Sequence, residues 1–246
     1  AVLMSQSVEW LAPVLVGDEV ELVATVESVS TGAGIISLGV DAINQNGDRV
    51  MKGDAMVKVA KRLTEVNHPK GENGGVALVT GGSRGIGAEI ARLLGKNGMT
   101  VAVNYLNSRG PAQDLAKEIQ AAGGCSEVFA GDLGDPTATS VMIKQVIDSF
   151  GRLDVVVHGA SPGISPQKVD QTSYGDIETF LKVYVGGALS LLAGSSPGMV
   201  ERRFGRFVFL GTSYMFGSPP AGMTAYVAAK EALWGLVKGM ATELGP

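Results

Sequence analysis

Cysteine is nearly absent from this chain of 246 residues, with Cys125 the single example. No internal disulfide can form, which suits a reducing compartment. Histidine is almost as scarce, at His68 and His158, and no metal site is expected. Charge is thin as well, with 18% Asp, Glu, Lys and Arg against roughly 25% in ordinary globular domains. The net charge is −4. The basic runs Lys58-Val-Ala-Lys61-Arg62 and Arg202-Arg203 to Arg206 are short and flanked by apolar residues, so they read as solvated faces and no nucleic-acid partner is expected. No apolar run approaches the roughly 18 residues of a membrane span, and no basic-then-apolar leader opens the chain. A soluble cytoplasmic protein without a membrane partner is the expectation.

What is abundant is glycine, 35 residues, about twice the usual share of roughly 7%. It shows no G-X-Y period, so a collagen is excluded, and 45% hydrophobic residues exclude a disordered chain. Its distribution is uneven: 7 glycines fall in residues 1–73 and 28 in residues 74–246. The seam between the two parts is a polar, turn-rich stretch, Thr64 to Gly74, which reads as a linker.

Residues 1–63 are strand-like. Val20–Val29, Ile35–Ile43 and Val50–Val59 are β-branched runs with partial alternation, and Asn46-Gly47-Asp48 is a hairpin signal. They predict three strands of a small antiparallel sheet, too little to stand alone. Residues 75–246 alternate instead between strand and helix. Strands are expected at Val76–Thr80, Thr100–Asn104, Glu127–Ala130, Val155–His158 and Phe207–Leu210. Helices are expected at Ala88–Lys96, Pro111–Ala122, Thr137–Phe150, Gly175–Ala193 and Ala225–Leu244. This alternation predicts an α/β fold with a doubly wound parallel Rossmann sheet and right-handed crossovers.

The first of these strands runs into Thr80-Gly81-Gly82-Ser83-Arg84-Gly85-Ile86-Gly87 and then a helix. A pyrophosphate needs free N–H groups at a helix N-terminus and a backbone unobstructed by Cβ atoms. Gly81, Gly85 and Gly87 supply the turn, the close approach and the tight helix–strand contact. Sites for NAD usually carry an acid about 20 residues further on. Here the second strand ends in Asn104-Tyr105, with no carboxylate to repel a 2′-phosphate. Arg84 could pair with such a phosphate or be a surface cation. NADP(H) is therefore the expected cofactor.

Tyr226-Val-Ala-Ala-Lys230 places a phenol and an ammonium at i and i+4, on one helix face. A phenol with a pKa near 10 yields little phenolate at neutral pH, and a neighbouring ammonium favours that form. Thirteen residues before Tyr226, Ser213 follows the last expected strand, where ligands bind in open α/β sheets. A hydroxyl there could hold a substrate carbonyl oxygen beside Tyr226.

With these motifs in this order and spacing, residues 75–246 resemble the short-chain dehydrogenases/reductases. The resemblance implies that Tyr226 is the general acid/base, that Ser213 orients the carbonyl, and that Lys230 lowers the Tyr pKa and binds the nicotinamide ribose. It implies that Asp132 contacts the adenine and extends the expected cofactor contacts to Ser83, Ile86, Asn104, Leu133 and Ala160. Three departures stand out. The family's Asn-Asn-Ala-Gly appears as His158-Gly159-Ala160-Ser161, so His158 is either a ligand or base or a packed strand-end histidine. The family's relay asparagine aligns with Tyr184, which either supplies a hydroxyl through water or leaves the relay weakened. The chain ends at Glu243-Leu-Gly-Pro246, so the family's last strands and substrate-covering loop are expected to be missing.

Residues 1–62 resemble the second half of a MaoC-like hot-dog hydratase, through Ser5-Gln-Ser-Val-Glu-Trp10-Leu-Ala-Pro13 to Asp18 and Asn44-Gln-Asn-Gly47-Asp48 to Ala55. Asp18 and Asp54 are read as turn residues, and His68 lies in the linker. A hydratase-like piece beside a reductase implies acyl-thioester metabolism. The expected activity is NADPH-dependent reduction of a 3-oxoacyl thioester, carried on acyl-carrier protein or CoA, to the 3-hydroxyacyl thioester. An alcohol, sugar or steroid dehydrogenase and a nucleotide-binding scaffold without turnover are the alternatives. Both resembled families assemble, so a homo-oligomer is expected.

Overall fold

In a computed structural model, the residues described are 2–14, 17–30, 34–58 and 74–245. The expected linker (Gly74 apart), His68 and the Lys61-Arg62 end of the first basic run lie outside them. The chain divides into two compact units, residues 1–66 and 67–246.

The first unit is a four-stranded antiparallel sheet of β1 (Val2–Trp10), β2 (Val20–Ser30), β3 (Ile35–Asn44) and β4 (Arg49–Lys58), in the order β1-β4-β3-β2. The hairpin signal is confirmed: Gly47 takes a φ of +85°, and Asn44 Oδ1 accepts the amides of Asn46 and Asp48 at 3.0 and 2.9 Å. Two features differ from the sequence expectation. The sheet has a fourth strand, β1, whose mixed sequence gives no period because backbone pairing to β4 defines it. Asp54 is no turn residue but lies inside β4, facing Ser7 across the ladder at 3.3 Å. Asp18 does precede a strand, and its carboxylate accepts from Gln45. The small core is Ala42, Val50 and Met51, while Leu22, Val26 and Val29 on the edge strand β2 are exposed.

The second unit is a five-stranded parallel sheet, β5 (Val76–Thr80), β6 (Thr100–Tyr105), β7 (Cys125–Ala130), β8 (Val155–His158) and β9 (Arg206–Phe209), in the order β7-β6-β5-β8-β9. The helices α1 (Gly85–Lys96), α2 (Arg109–Ala121), α3 (Pro136–Phe150), α4 (Tyr174–Leu181), α5 (Gly187–Glu201) and α6 (Thr224–Leu244) alternate with the strands. Every residue of β5 is buried, as a central strand covered on both faces must be. The order reverses at β5, so the crevice beyond the strand ends opens beside the Gly81–Gly87 turn, the usual ligand position in open α/β sheets. Cys125 is exposed at the start of edge strand β7.

The expected helix at 175–193 runs on to Glu201, through Pro197. Glycine and proline suggest a stop there, but tertiary packing overrides it: Gly194 sits against Ile143, and Ser195 and Met199 are buried. Between α4 and α5 the helix widens into a π-helical segment, Lys182–Gly186. By length and composition Tyr174–Glu201 could cross a membrane, yet Phe180, Tyr184, Ala188 and Leu191 are buried in the unit.

Two buried polar groups tie this unit together. At the starting ends of the strands, Asp154 is fully buried and receives Arg152 at 2.7 and 2.8 Å, Arg202 at 3.4 Å and the amide of Val76 at 2.9 Å. At the opposite ends, His158 is buried with Nδ1 3.1 Å from the Thr80 hydroxyl. Its Nε2 lies 3.1 and 3.2 Å from the carbonyl oxygens of Val183 and Tyr184. Two carbonyls can only accept, so Nε2 carries the proton and Nδ1 accepts from Thr80. This is the packed-histidine reading of His158.

Asp154→Ala should cost about 2–4 kcal/mol in urea unfolding, because it strands two arginines and a buried amide, with the arginines' partial exposure keeping the loss moderate. A loss below about 1 kcal/mol would show that the cluster does not hold the strands. Burial, aided by the Lys230 charge and opposed by the carbonyl contacts, pushes His158 from 6.5 down to about 4. The unfolded chain therefore takes up this proton before the fold does, so the stabilisation present above pH 6.5 is lost as pH falls toward 4. That linkage is worth roughly 3 kcal/mol. Unfolding free energy should fall more steeply over this range in the wild type than in His158→Asn, and equal slopes would refute a neutral buried imidazole.

Candidate active site

The turn after β5 is built from glycines for separate reasons. Gly81 has a φ of +63°, and a Cβ there would meet the Ala160 backbone at 2.8 Å. At Gly87 a Cβ would meet the carbonyl oxygen of Gly81. Gly85, with a φ of +56°, faces open space, and no side chain caps α1. A backbone cradle without Cβ atoms, at an uncapped helix start, fits a dinucleotide pyrophosphate. Ser83 is half-buried in the turn, and Arg84, Gly85 and Ile86 are exposed at its mouth.

Around this cradle the expected contacts separate into groups that face outward and groups that hold the loop. Asn104 is buried. Its Oδ1 accepts the Gly81 amide at 3.2 Å, and its Nδ2 donates to the carbonyls of Phe129 and Gly131 at 3.3 and 3.0 Å. The amide group is thus engaged with backbone, and Asn104 shapes the turn from behind. Leu133 is likewise turned into the core, leaving only its backbone toward a ligand. Asp132, half-buried after β7, accepts the Gly134 amide at 2.8 Å through Oδ1. The Thr80 hydroxyl accepts the amides of Gly159 and Ala160 at 3.1 and 3.3 Å, which brings Ala160 against the glycine turn.

Arg84 makes no ion pair among the described residues. A second exposed cation, Arg109, opens α2 four residues beyond β6, the strand whose end carries an acid where a 2′-phosphate is selected against. Arg109 is a further candidate phosphate contact, marked in the sequence only as a cation soon after the second strand.

Tyr226 and Lys230 lie one turn apart on α6, with the Lys230 Nζ 5.9 Å from the centre of the Tyr226 ring. Lys230 is buried and donates to the Leu210 carbonyl at 2.6 Å. Burial lowers its pKa to about 8. Ser213 is not at the strand end but opens a 3₁₀ turn, Ser213–Phe216, which packs on α6. Tyr226 is also packed edge-on against Phe180 and Tyr184, at 5.9 and 6.1 Å. It lines a cleft of about 150 Å³ with Ile164, Asp176, Phe180 and Gly222. That volume holds the reacting end of a substrate rather than a whole drug-sized ligand. The Tyr184 hydroxyl meets Ser161 Oγ at 2.6 Å. Nothing in the sequence pattern had paired Tyr184 with Ser161.

Residues 75–246 match the short chain dehydrogenase family. Over 174 residues the chain is 37% identical to the 3-oxoacyl-[acyl-carrier-protein] reductase FabG of Staphylococcus aureus strain Mu50, covering 68% of each protein. It is 33% identical over 171 residues to an uncharacterized oxidoreductase of Mycobacterium tuberculosis, covering 70% of this chain and 64% of that one. A metagenomic short-chain oxidoreductase in complex with NADP superposes with a TM-score of 0.66 at 32% identity, over 70% of this chain and 77% of the other. A short chain dehydrogenase of Burkholderia cenocepacia in complex with NADP gives 0.64 at 35%, over 71% and 70%. The glycine cradle, the crevice at the strand ends and the Tyr226–Lys230 pair occur together in a chain that belongs to the short-chain dehydrogenase family.

Proposed function

We propose that the protein reduces the ketone of a 3-oxoacyl thioester, on acyl-carrier protein or CoA, to the 3-hydroxyacyl thioester with NADPH. The observation that carries the chemistry is the Tyr226–Lys230 pair on α6, beside a small cleft at the strand ends. The thioester reading rests on similarity to a 3-oxoacyl reductase over 68% of the chain. In this reading Gly81, Ser83, Arg84, Gly85, Ile86 and Gly87 hold the dinucleotide, with Asp132, Ala160 and the Leu133 backbone at its adenine and nicotinamide sides. Asn104 keeps the turn in shape. Arg84 and Arg109, with no acid at the end of β6, favour the 2′-phosphate of NADP(H).

When bound, the nicotinamide supplies the hydride. The Tyr226 hydroxyl gives its proton to the ketone oxygen, and the Ser213 hydroxyl donates a second hydrogen bond that fixes this oxygen. The buried Lys230 ammonium, anchored on the Leu210 carbonyl, stabilises the phenolate that remains on Tyr226.

Residues 1–63 we read as part of a hot-dog-type hydratase sheet, joined by the linker at 64–74 to the reductase at 75–246. The long antiparallel strands of the first unit support this. The exposed Leu22, Val26 and Val29 on edge strand β2 support assembly into a homo-oligomer, since an apolar open edge invites pairing.

Purified protein should oxidise NADPH on addition of a 3-oxoacyl thioester, faster than with sugar, steroid or simple alcohol-derived ketones. Tyr226→Phe should lower kcat about 10²–10⁴-fold, the usual worth of a general acid, with NADPH binding retained. Unchanged turnover in this variant would sink the mechanism, and NADPH binding without any hydride transfer would leave a scaffold. Arg84→Ala should weaken NADPH roughly tenfold or more while leaving NADH within about twofold, as expected for one lost charge-assisted phosphate contact. Equal losses for both cofactors would remove Arg84 from the phosphate site.

A further inference from the structure

The Lys230 ammonium lies 3.9 Å from the centre of the Tyr184 ring and above it. This is closer than its 5.9 Å from the Tyr226 ring. Lys230 is 6% exposed, so water supplies little of its solvation, and among the described residues its ammonium donates to the Leu210 carbonyl at 2.6 Å. A cation over an aromatic face is attracted by the ring's negative quadrupole, most strongly when both are desolvated. Tyr184 is fully buried, and its hydroxyl is engaged with Ser161 at 2.6 Å.

The ring is held in this place by several independent contacts. Phe180 stacks on it at 5.8 Å and 25°, and Tyr226 meets it edge-on. The π-helical segment that carries Tyr184 is fixed to the strand ends by the His158 Nε2–H, which reaches the carbonyls of Val183 and Tyr184. We propose that Tyr184 is a positioning residue for Lys230, its ring face and the Leu210 carbonyl together forming the seat that sets the ammonium beside Tyr226. The inference rests on the Tyr226–Lys230 reading above and deepens it. It assigns the work to the ring and not to the hydroxyl.

The ionisation states agree with this. Burial, moderated by Ser161, pushes the Tyr184 phenol up to about 12, so the ring is neutral at working pH. Burial lowers Lys230 to about 8, which puts its charge within reach of a change in its seat. The groups facing the ammonium are Tyr226 on α6, Tyr184 on the π-helical segment and His158 on β8, the last neutral above about pH 4. Weakening the seat disfavours the charged form, so the Lys230 pKa moves down.

The test replaces Tyr184 by Phe and by phenylalanines carrying one, two and three fluorines, near-isosteric rings of falling quadrupole. Two readouts are followed in the full chain: the Lys230 pKa, by NMR of isotope-labelled lysine without cofactor, and the pH profile of kcat. Tyr184→Phe should keep the Lys230 pKa within about 0.3 unit and kcat within about threefold, because the ring remains. Across the fluorinated series the Lys230 pKa should fall by about one unit in total, the scale of a desolvated cation–π contact. The alkaline limb of kcat should move down with it, while NADPH affinity holds within about threefold. A Lys230 pKa independent of fluorination overturns the proposal, as does a full loss already in Tyr184→Phe, which would assign the role to the Ser161-bonded hydroxyl. Full reduction by Tyr226→Phe would instead overturn the reductase mechanism, and the NMR series would still decide the seat.

Discussion

One threonine hydroxyl organises the functional end of the parallel sheet. Thr80 Oγ1, at the last residue of β5, accepts the amides of Gly159 and Ala160 and faces His158 Nδ1 and the Val157 carbonyl. It has one hydrogen, and the histidine tautomer directs that hydrogen to Nδ1, because Nε2 must donate to two carbonyls. The consequence is a continuous run of contacts. It starts at the glycine turn, passes through the imidazole to the π-helical segment, and ends at the Tyr184 ring beneath the Lys230 ammonium. The glycine cradle and the Tyr226–Lys230 pair are thereby set by one buried network, whose members each have a partner among the described residues. Partly satisfied, such a network would be costly in a low-dielectric interior. Fully satisfied, it is a source of rigidity.

The two poles of the sheet divide their tasks by chemistry. At the starting ends, Asp154 collects two arginines and a strand amide, which fixes β5, β8 and the end of α5 with full charges. At the finishing ends, charge is withheld from the core and hydrogen bonds are neutral, apart from Lys230. A neutral imidazole beside a buried ammonium avoids like-charge repulsion where a second cation would compete with Lys230. The arrangement keeps the ammonium as the dominant local charge at Tyr226.

Features with a local signature were legible in the sequence. The strand–glycine turn–helix unit, the i, i+4 spacing of Tyr226 and Lys230, and the alternation of strand with helix are all short-range patterns, and the second unit has each of them. What escaped depends on distant partners. Thr80 and His158 are 78 positions apart in sequence, and His158 meets Tyr184 across 26. No periodicity announces such pairs. Asn104 looked like a ligand residue because of where its strand ends, yet its side chain faces backbone. Strand β1 shows no alternation and is defined by its pairing to β4, and Pro197 failed to end its helix because packing of Ser195 and Met199 outweighs local preference.

The single cysteine now has a practical meaning. Cys125 is exposed at the first residue of β7, so it lies at the pole of the sheet away from the glycine turn, the cleft and Lys230. A maleimide-linked fluorophore can be attached at one defined position of the unaltered sequence, with no cysteine to remove and none to introduce. Anchored on a strand rather than on a mobile loop, such a dye would report tumbling and self-association while leaving the crevice unobstructed.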